Sequence, residues 1–270
     1  MSGFNYQAGV LYCENVPIEQ IAKSVGTPCF IYSKEQLQQN CRQFKAAFNQ
    51  SDQVDFHYAV KSASTLALLQ VIFNEGYGAD VVSVGEIKRC LEVGLDPKKI
   101  VFSGVGKTVN EIDYALQVGV GLFNVESLPE LRTIALRAKI QQVRAPICLR
   151  VNPNVDADTH QNITTGTANN KFGLSEQELL FALDEISSAS FLNYLGLSCH
   201  IGSQILSLAP IEQAANQMVV LHNRLKELGF VGKYLNLGGG VGINYEAGQG
   251  KQRQFDLQEY AKCLQSITEE

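Results

Sequence analysis

Short apolar runs alternate with amphipathic stretches along most of the chain. The apolar runs are rich in Val, Ile, Leu, Phe and Ala, which is typical of buried parallel strands. They lie at residues 54–60, 79–83, 100–103, 121–125, 146–151, 192–200 and 234–237. Between them, apolar positions recur every three to four residues, the period of a helix with one buried face. This pattern predicts helices at residues 65–74, 84–93, 109–118, 128–140, 175–188, 210–228 and 256–268.

Helix-start signals support these boundaries. Ser127 precedes Pro129 and Glu130, and Ser175 is followed three residues later by Glu178, the spacing of a capping box.

Strands that alternate with helices predict a parallel sheet, because parallel neighbours need a crossover connection. Seven successive strand–helix units favour a (β/α)₈ TIM-type barrel over an open doubly wound sheet. The count is one strand short of closure, and we expect the eighth strand to lie beyond this sequence.

The segment before the first barrel strand has its own pattern. Residues 9–16 and 29–32 are predicted as strands with a helix at Ile18–Val25 between them, and a further helix is predicted at 34–48. The longest irregular stretch, residues 152–173, is polar and rich in Asn and Thr. Loops of that length in a compact domain are often functional.

Composition narrows the class of protein. The net charge of −5 provides no basic stripe, which argues against a nucleic-acid partner. No apolar run reaches the length of a membrane span, so we predict no membrane partner. Seven scattered cysteines without a C-x-x-C pair favour reduced thiols and a cytoplasmic protein.

In a barrel of this type, chemistry is expected at the carboxyl ends of the strands. Lys61 ends the first apolar run. A lone lysine there is most often a surface residue, and the functional alternative is a desolvated amine that forms a Schiff base with a carbonyl. Asp80 has two comparable interpretations, a turn residue or a site acid. Arg150 places a charge inside an apolar strand and therefore needs a partner.

A glycine run and a histidine follow two of the later strands. Gly238, Gly239 and Gly240 come directly after an apolar strand, which suits either a tight turn or a cradle for a single phosphate group. His200 precedes Gly202 and Ser203 and is either a core histidine or a flat ring facing the barrel mouth. The remaining histidines show no ligand spacing with it, and we predict no metal site.

Six motifs occur in an order and spacing that resemble fold-type III pyridoxal-phosphate (PLP) enzymes, the alanine-racemase-like group. They are YAVKS (58–62), GADVVSVGE (78–86), FSGVGKT (102–108), LRVNP (149–153), CHIGSQ (199–204) and LNLGGGVG (235–242). THQNITTG with NNKFG (159–173), together with residues 11–33, is similar to the diaminopimelate decarboxylase family in particular.

The resemblance implies a role for each candidate residue. Lys61 would form the Schiff base with PLP and His200 would stack on its ring. Ser203 and the backbone of Gly238–Gly240 would hold the phosphate. Asp80 and Arg150 would support the lysine and the ring.

The resemblance also implies an activity and a domain organisation. The family removes carbon dioxide from meso-2,6-diaminopimelate to give L-lysine, as a cytoplasmic homodimer with a shared active site. Residues 34–270 would form the PLP-binding barrel, and residues 1–33 would pack with a C-terminal β-domain.

The sequence departs from the family pattern in two ways. Ala63 stands where the family usually has Asn. The eighth strand, the EPGR motif and the C-terminal β-domain with its catalytic Cys are missing from this chain. We therefore expect the chain alone to be inactive and to self-associate through open sheet edges.

Three alternatives stay open at this point. One is a sister decarboxylase acting on ornithine, arginine or carrier-bound glutamate, and another is an alanine racemase, whose later motifs differ. The third is a non-catalytic PLP-binding protein.

Overall fold

The structure is a computed structural model that describes residues 3–49, 53–155, 172–243 and 256–268. Its strands are β1 (Phe4–Gln7), β2 (Val10–Cys13), β3 (Val16–Pro17), β4 (His57–Ala59), β5 (Gly78–Val81), β6 (Ile100–Phe102), β7 (Leu122–Val125), β8 (Ala145–Arg150), β9 (Leu192–Ser198) and β10 (Tyr234–Asn236). Its helices are α1 (Ile18–Val25), α2 (Lys34–Ala47), α3 (Leu66–Asn74), α4 (Val84–Glu92), α5 (Val109–Val118), α6 (Leu128–Gln141), α7 (Glu176–Ser188), α8 (Ala209–Glu227) and α9 (Leu257–Thr268).

Strands β4 to β10 form one seven-stranded parallel sheet in sequence order. The sheet curls into a partial barrel. The register pairs Tyr58 with Ala79, and Asn124 with Cys148. Sequential parallel pairing confirms the predicted barrel-type architecture, in which all strand ends of one polarity share a rim.

The hydrophobic core fills the sheet and the layer beneath the helices. Phe102 and Phe123, from adjacent strands, are completely buried with ring centroids 6.0 Å apart. A second cluster joins α9 to α2. The ring centroid of Tyr260 lies 6.1 Å from that of Phe44 and 5.8 Å from that of Phe48. This aromatic cluster brings the last described helix against the helix that precedes β4.

Helix starts agree with the polar signals in the sequence. The Ser175 hydroxyl accepts from the Glu178 N–H, and the Glu178 carboxylate accepts from the Ser175 N–H, which confirms the capping box. Ser127 likewise accepts from the N–H of Glu130. Of the helices that the structure describes, none combines the length and apolar character needed to cross a membrane.

The first 33 residues required corrections. Residues 9–16 are not one strand, because a turn at Glu14, with φ +54°, separates β2 from β3. The pattern also missed β1, which completes a three-stranded antiparallel sheet. Residues 29–32 were wrongly predicted as a strand: they pair with no strand in the described part of the chain, and Phe30 is 91% exposed. An apolar run becomes a strand only where an edge is available for its hydrogen bonds.

The long polar loop is described only at its ends. Leu174 donates its N–H to the Arg150 carbonyl at 2.7 Å, so the loop leaves and rejoins the barrel beside β8. Residues 156–171, which carry most of the THQNITTG and NNKFG motifs, lie outside the described residues.

Candidate active site

The candidate residues lie at or near the carboxyl ends of strands of the parallel sheet. Lys61 lies in a 3₁₀ turn directly after β4, and Asp80 lies within β5. Arg150 is the last residue of β8, His200 comes two residues after β9, and Gly238 comes two residues after β10.

Lys61 is solvent-exposed, and its ammonium group makes no hydrogen bond or ion pair with the described part of the chain. Its turn is fixed by neighbours. The Ser62 hydroxyl donates to the Tyr58 hydroxyl at 2.8 Å, and the Tyr58 hydroxyl lies 3.3 Å from the Ala63 carbonyl. A fixed backbone with an unengaged amine is suited to covalent chemistry at that amine.

Asp80 has one oxygen without a partner. Its Oδ1 atom is buried and accepts no hydrogen bond from any residue that the structure describes. Burial raises the pKa of Asp80, while a hydrogen-bonding interaction with Ser103 and the charge of Lys61 act in the opposite direction. A buried orphan acceptor is costly unless a ligand or a proton completes it. Asp80 can therefore accept a hydrogen bond from a donor that the described part of the chain does not supply.

Arg150 has the partner that its place in an apolar strand required. Its Nη1 atom lies 2.7 and 2.8 Å from the two carboxylate oxygens of Glu126. The side chains of Arg150 and Glu126 are 13% and 2% exposed. The guanidinium also lies 5.5 Å from the ring centroid of Phe172. These contacts hold a cation at the rim with its orientation defined.

His200 lies near both cations of the site. Burial, together with the charges of Arg150 and Lys61, lowers the pKa of His200 to about 4. Its imidazole is therefore neutral at pH 7, and a neutral flat ring can pack against another ring without the cost of burying a charge.

The glycine run packs closely against the segment that carries His200. A methyl group at Gly238 would lie 2.6 Å from the Cys199 carbonyl oxygen and 3.1 Å from Nδ1 of His200. At Gly240, where φ is +95°, a methyl group would overlap the carbonyl oxygen of Gly202. Around Gly239, in contrast, nothing lies within 4 Å of the same position. The run is thus closely packed at Gly238 and Gly240 and open at Gly239. Such an exposed stretch of backbone is suited to binding an anion.

Ser203 is exposed in the turn that follows His200. Ile205 donates its N–H to the Gly240 carbonyl at 2.8 Å, which aligns this turn with the glycine run. No hydrogen bond joins the Ser203 hydroxyl to the run within the described residues. Lys61, Asp80, Arg150 and His200 are thus linked by mutual electrostatic effects, and His200 by contact to the glycine run, whereas Ser203 is near in the chain only.

Five further polar residues lie at or beside this rim, and the sequence assigned no role to them. Asn124 donates to the Ser103 hydroxyl at 2.9 Å. Glu126 holds Arg150, and Lys107 is paired with Glu130 at 2.7 Å. Polar residues at the ends of buried strands were the available signal for Ser103, Asn124 and Glu126, but pairing across strands is not visible in a linear pattern.

Comparison with known proteins agrees with the geometry. Residues 34–270 match the family model described as pyridoxal-dependent decarboxylase, pyridoxal binding domain. Diaminopimelate decarboxylase from Zymomonas mobilis is 38% identical over 270 residues, which is 99% of this chain and 64% of the relative. The enzyme of the same name from Haemophilus influenzae is 42% identical over 245 residues, which is 91% of this chain and 59% of the relative. The chain thus spans about 60% of the length of such relatives.

Solved structures show the same relationship. Diaminopimelate decarboxylase from M. jannaschii in complex with L-lysine superposes with a TM-score of 0.90 at 30% identity, over 98% of this chain and 62% of that one. Diaminopimelate decarboxylase from Helicobacter pylori in complex with L-lysine superposes with a TM-score of 0.88 at 36% identity, over 93% of this chain and 62% of that one. The Vibrio vulnificus lysine/ornithine decarboxylase, at 20% identity and a TM-score of 0.75, shares the fold. By the family match over most of its length, this chain belongs to the pyridoxal-dependent decarboxylases and corresponds to their pyridoxal-binding domain.

Proposed function

We propose that the protein containing this chain is a PLP-dependent carboxy-lyase that converts meso-2,6-diaminopimelate to L-lysine and carbon dioxide. The observation that supports this most strongly is the unengaged amine of Lys61 on the same rim as the orphan Oδ1 of Asp80 and the neutral ring of His200. The similarity to diaminopimelate decarboxylases over nearly the whole chain supports the choice of substrate.

The residues present fit PLP as the cofactor. A phosphate needs backbone N–H groups that it can approach closely, and the open position at Gly239 satisfies this need. An aromatic ring needs a flat neutral neighbour, which His200 supplies. A buried acceptor without a partner, Asp80 Oδ1, needs a donor. When bound, PLP supplies an electron sink for the bond pair released as carbon dioxide leaves.

Each side chain then has a definite task. Lys61 would hold the cofactor through its amine, and Asp80 would hold a proton beside that amine. His200 would pack against the ring and exclude water from one face. Ser203 and the Gly238–Gly240 backbone would hold the phosphate. Arg150, oriented by Glu126, provides positive charge at the rim.

The domain division and the assembly are also proposals. We infer that residues 34–270 are the cofactor-binding barrel and that residues 1–33 pack with a β-domain elsewhere in the protein. The family match, which begins at residue 34, supports this division. We further propose a cytoplasmic homodimer with a shared active site, and that these 270 residues alone do not turn over substrate.

A decarboxylase of ornithine, arginine or carrier-bound glutamate is the competing function, and the lysine/ornithine enzyme supports it only through a shared fold. Release of carbon dioxide from meso-diaminopimelate, ornithine and arginine should be compared using the protein in the length that the cell makes. We expect release from diaminopimelate alone, with L-lysine as the product. A preference for ornithine or arginine would overturn the assignment of substrate.

The cofactor role of Lys61 can be tested on this chain directly. PLP is added, borohydride is used to fix any lysine-bound cofactor, and the modified peptide is identified by mass spectrometry. At low PLP concentration we expect preferential modification at Lys61, since its exposed amine lies on the same rim as His200 and the glycine run, which would hold the cofactor.

Two variants make this test decisive. Lys61→Ala should abolish the adduct, and Lys88→Ala, which removes an exposed lysine on the outer helix α4, should leave it unchanged. Labelling that is equal in the wild type and in Lys61→Ala would exclude Lys61 as the cofactor-binding lysine.

A further inference from the structure

Lys107, in the turn between β6 and α5, has a buried side chain on a backbone that is partly exposed. Its side chain is 0% exposed. Its ammonium nitrogen lies 2.7 Å from the Gly104 carbonyl oxygen, 2.8 Å from the Asn124 carbonyl oxygen and 2.7 Å from Oε1 of Glu130. An ammonium group has three N–H donors, and all three are used. Lys107 is therefore held as a cation with no capacity left for a ligand.

Two carboxylates connect Lys107 to the rim. Glu130, 8% exposed, pairs with Lys107 through Oε1, and its Oε2 accepts the N–H of Glu126 at 3.3 Å. The Glu126 side chain in turn accepts the Gly104 N–H at 3.1 Å and binds Arg150. Both backbone groups of Gly104 are thus hydrogen-bonded: its carbonyl accepts from Lys107, and its N–H donates to Glu126.

The four charged groups balance each other. Two cations, Lys107 and Arg150, face two acids, Glu126 and Glu130, in a region that excludes water. A buried charge that loses its partner is left uncompensated, so pairing with another group of opposite charge becomes favourable. Without Lys107, the Glu130 carboxylate would compete for Arg150. Without the Glu130 charge, Lys107 would compete for Glu126.

We propose that Lys107 is a positioning residue for the cofactor site: its pairing with Glu130 reserves Glu126 for Arg150 and so fixes the guanidinium at the rim. This inference rests on the proposed function, because Arg150 matters only if the rim binds PLP. Lys107 itself touches no ligand and acts through three intervening groups.

The test compares single and double variants of Lys107 and Glu130. For each protein, PLP is added in steps, and the dissociation constant of PLP is obtained from the absorbance of the bound cofactor. Lys107→Met and Glu130→Gln should each raise the constant about tenfold, since each leaves one charge unbalanced beside the Glu126–Arg150 pair. The double variant Lys107→Met/Glu130→Gln removes both charges and should return the constant to within about threefold of the wild type.

The same substitutions are repeated in an Arg150→Met background, where they should change the constant less than about twofold. A purely structural role predicts the opposite, namely an equal loss in both backgrounds and no recovery in the double variant. Arg137→Met is the matched control, because it breaks an ion pair with Asp113 that joins α5 to α6, the helix that carries Glu130, away from the rim. It should leave the constant unchanged.

The outcomes are distinct. Equal effects with and without Arg150, or an Arg150→Met variant that binds PLP as tightly as the wild type, would overturn the role of Lys107 while leaving PLP binding intact. If the wild-type protein, in the length that the cell makes, forms no adduct at Lys61, the proposed cofactor role of Lys61 is wrong, and this inference fails with it. If Lys107→Met does not fold, Glu130→Gln and the double variant still decide the question. Glu130→Gln keeps a side chain of nearly the same size, and the double variant removes one charge of each sign.

Discussion

The charge or orientation of several polar side chains at the barrel rim is set by a neighbour from a different strand. His200 is the plainest case: burial and the cations Arg150 and Lys61 lower its pKa to about 4, against 6.5 for a free imidazole. The ring is consequently neutral across the physiological range, although the sequence around it contains no feature that would specify its charge.

This shift predicts a pH dependence of stability. As the pH falls below about 6.5, His200 in the unfolded chain binds a proton, but in the folded chain it binds one only near pH 4. The folded state therefore loses stability between these values, by roughly 1 to 3 kcal/mol from this group. Urea unfolding of the wild type and of His200→Gln at pH 7 and pH 4.5 measures the effect.

The comparison isolates His200, because the other titrating groups are common to both proteins. The loss of unfolding free energy on acidification should be smaller in His200→Gln than in the wild type. The same loss in both would show that His200 is not held neutral by its surroundings.

At the scale of elements, the junction of β9 and β10 depends on one glycine. The pairing of β8 with β9 shifts register between Ile147 and Cys148, and Gly196 lies at this irregularity, with φ +146°. A methyl group at Gly196 would overlap the carbonyl oxygen of Tyr234. The backbones of β9 and β10 can therefore pair here only because residue 196 lacks a side chain.

Gly196→Ala should lower the free energy of unfolding by roughly 3 kcal/mol, through overlap that only a shift of β10 can relieve. Because β10 leads into the glycine run, PLP binding should weaken as well. Gly85→Ala in α4 is the control: its nearest atom is the Ser83 hydroxyl oxygen at 3.7 Å, and the change should be neutral or slightly stabilising. Equal stability of the two variants in urea titrations would contradict this account of the junction.

At the scale of the whole molecule, the parallel sheet is not closed within the described residues. Its order runs from β10 to β4, and each of these two strands has one neighbour. The N-terminal segment adds exposed aromatic side chains, with Tyr6 74% and Phe30 91% exposed. Unpaired strand edges and exposed rings are surfaces on which other chains can pair or pack.

We therefore expect these 270 residues to self-associate. Sedimentation velocity over a concentration series should show species larger than a monomer, with the average mass rising with concentration. A single monomeric species at every concentration would show that the open edges are protected by other means.

Much of this fold was predictable from the linear pattern. Helix Val109–Val118 and the other barrel elements follow from periodicity, and their polar starts follow from capping at Ser127 and Ser175. The errors fall in the first 33 residues, where β1 was missed and residues 29–32 were assigned a strand. Strand formation there depends on which edges are available, and hydrogen-bond partners distant in sequence decide this.

The same division applies to the site and to the molecule as a whole. The sequence by itself determined the parallel α/β architecture and the placement of Lys61, Asp80, Arg150, His200 and the glycine run at strand ends, because period and chain order are local properties. Only the tertiary structure decided that Glu126 pairs with Arg150, that Asp80 Oδ1 has no partner among the described residues, and that the Lys107 side chain is buried. Those facts depend on distances between separate strands and on exclusion of water, and both arise only when the sheet curls.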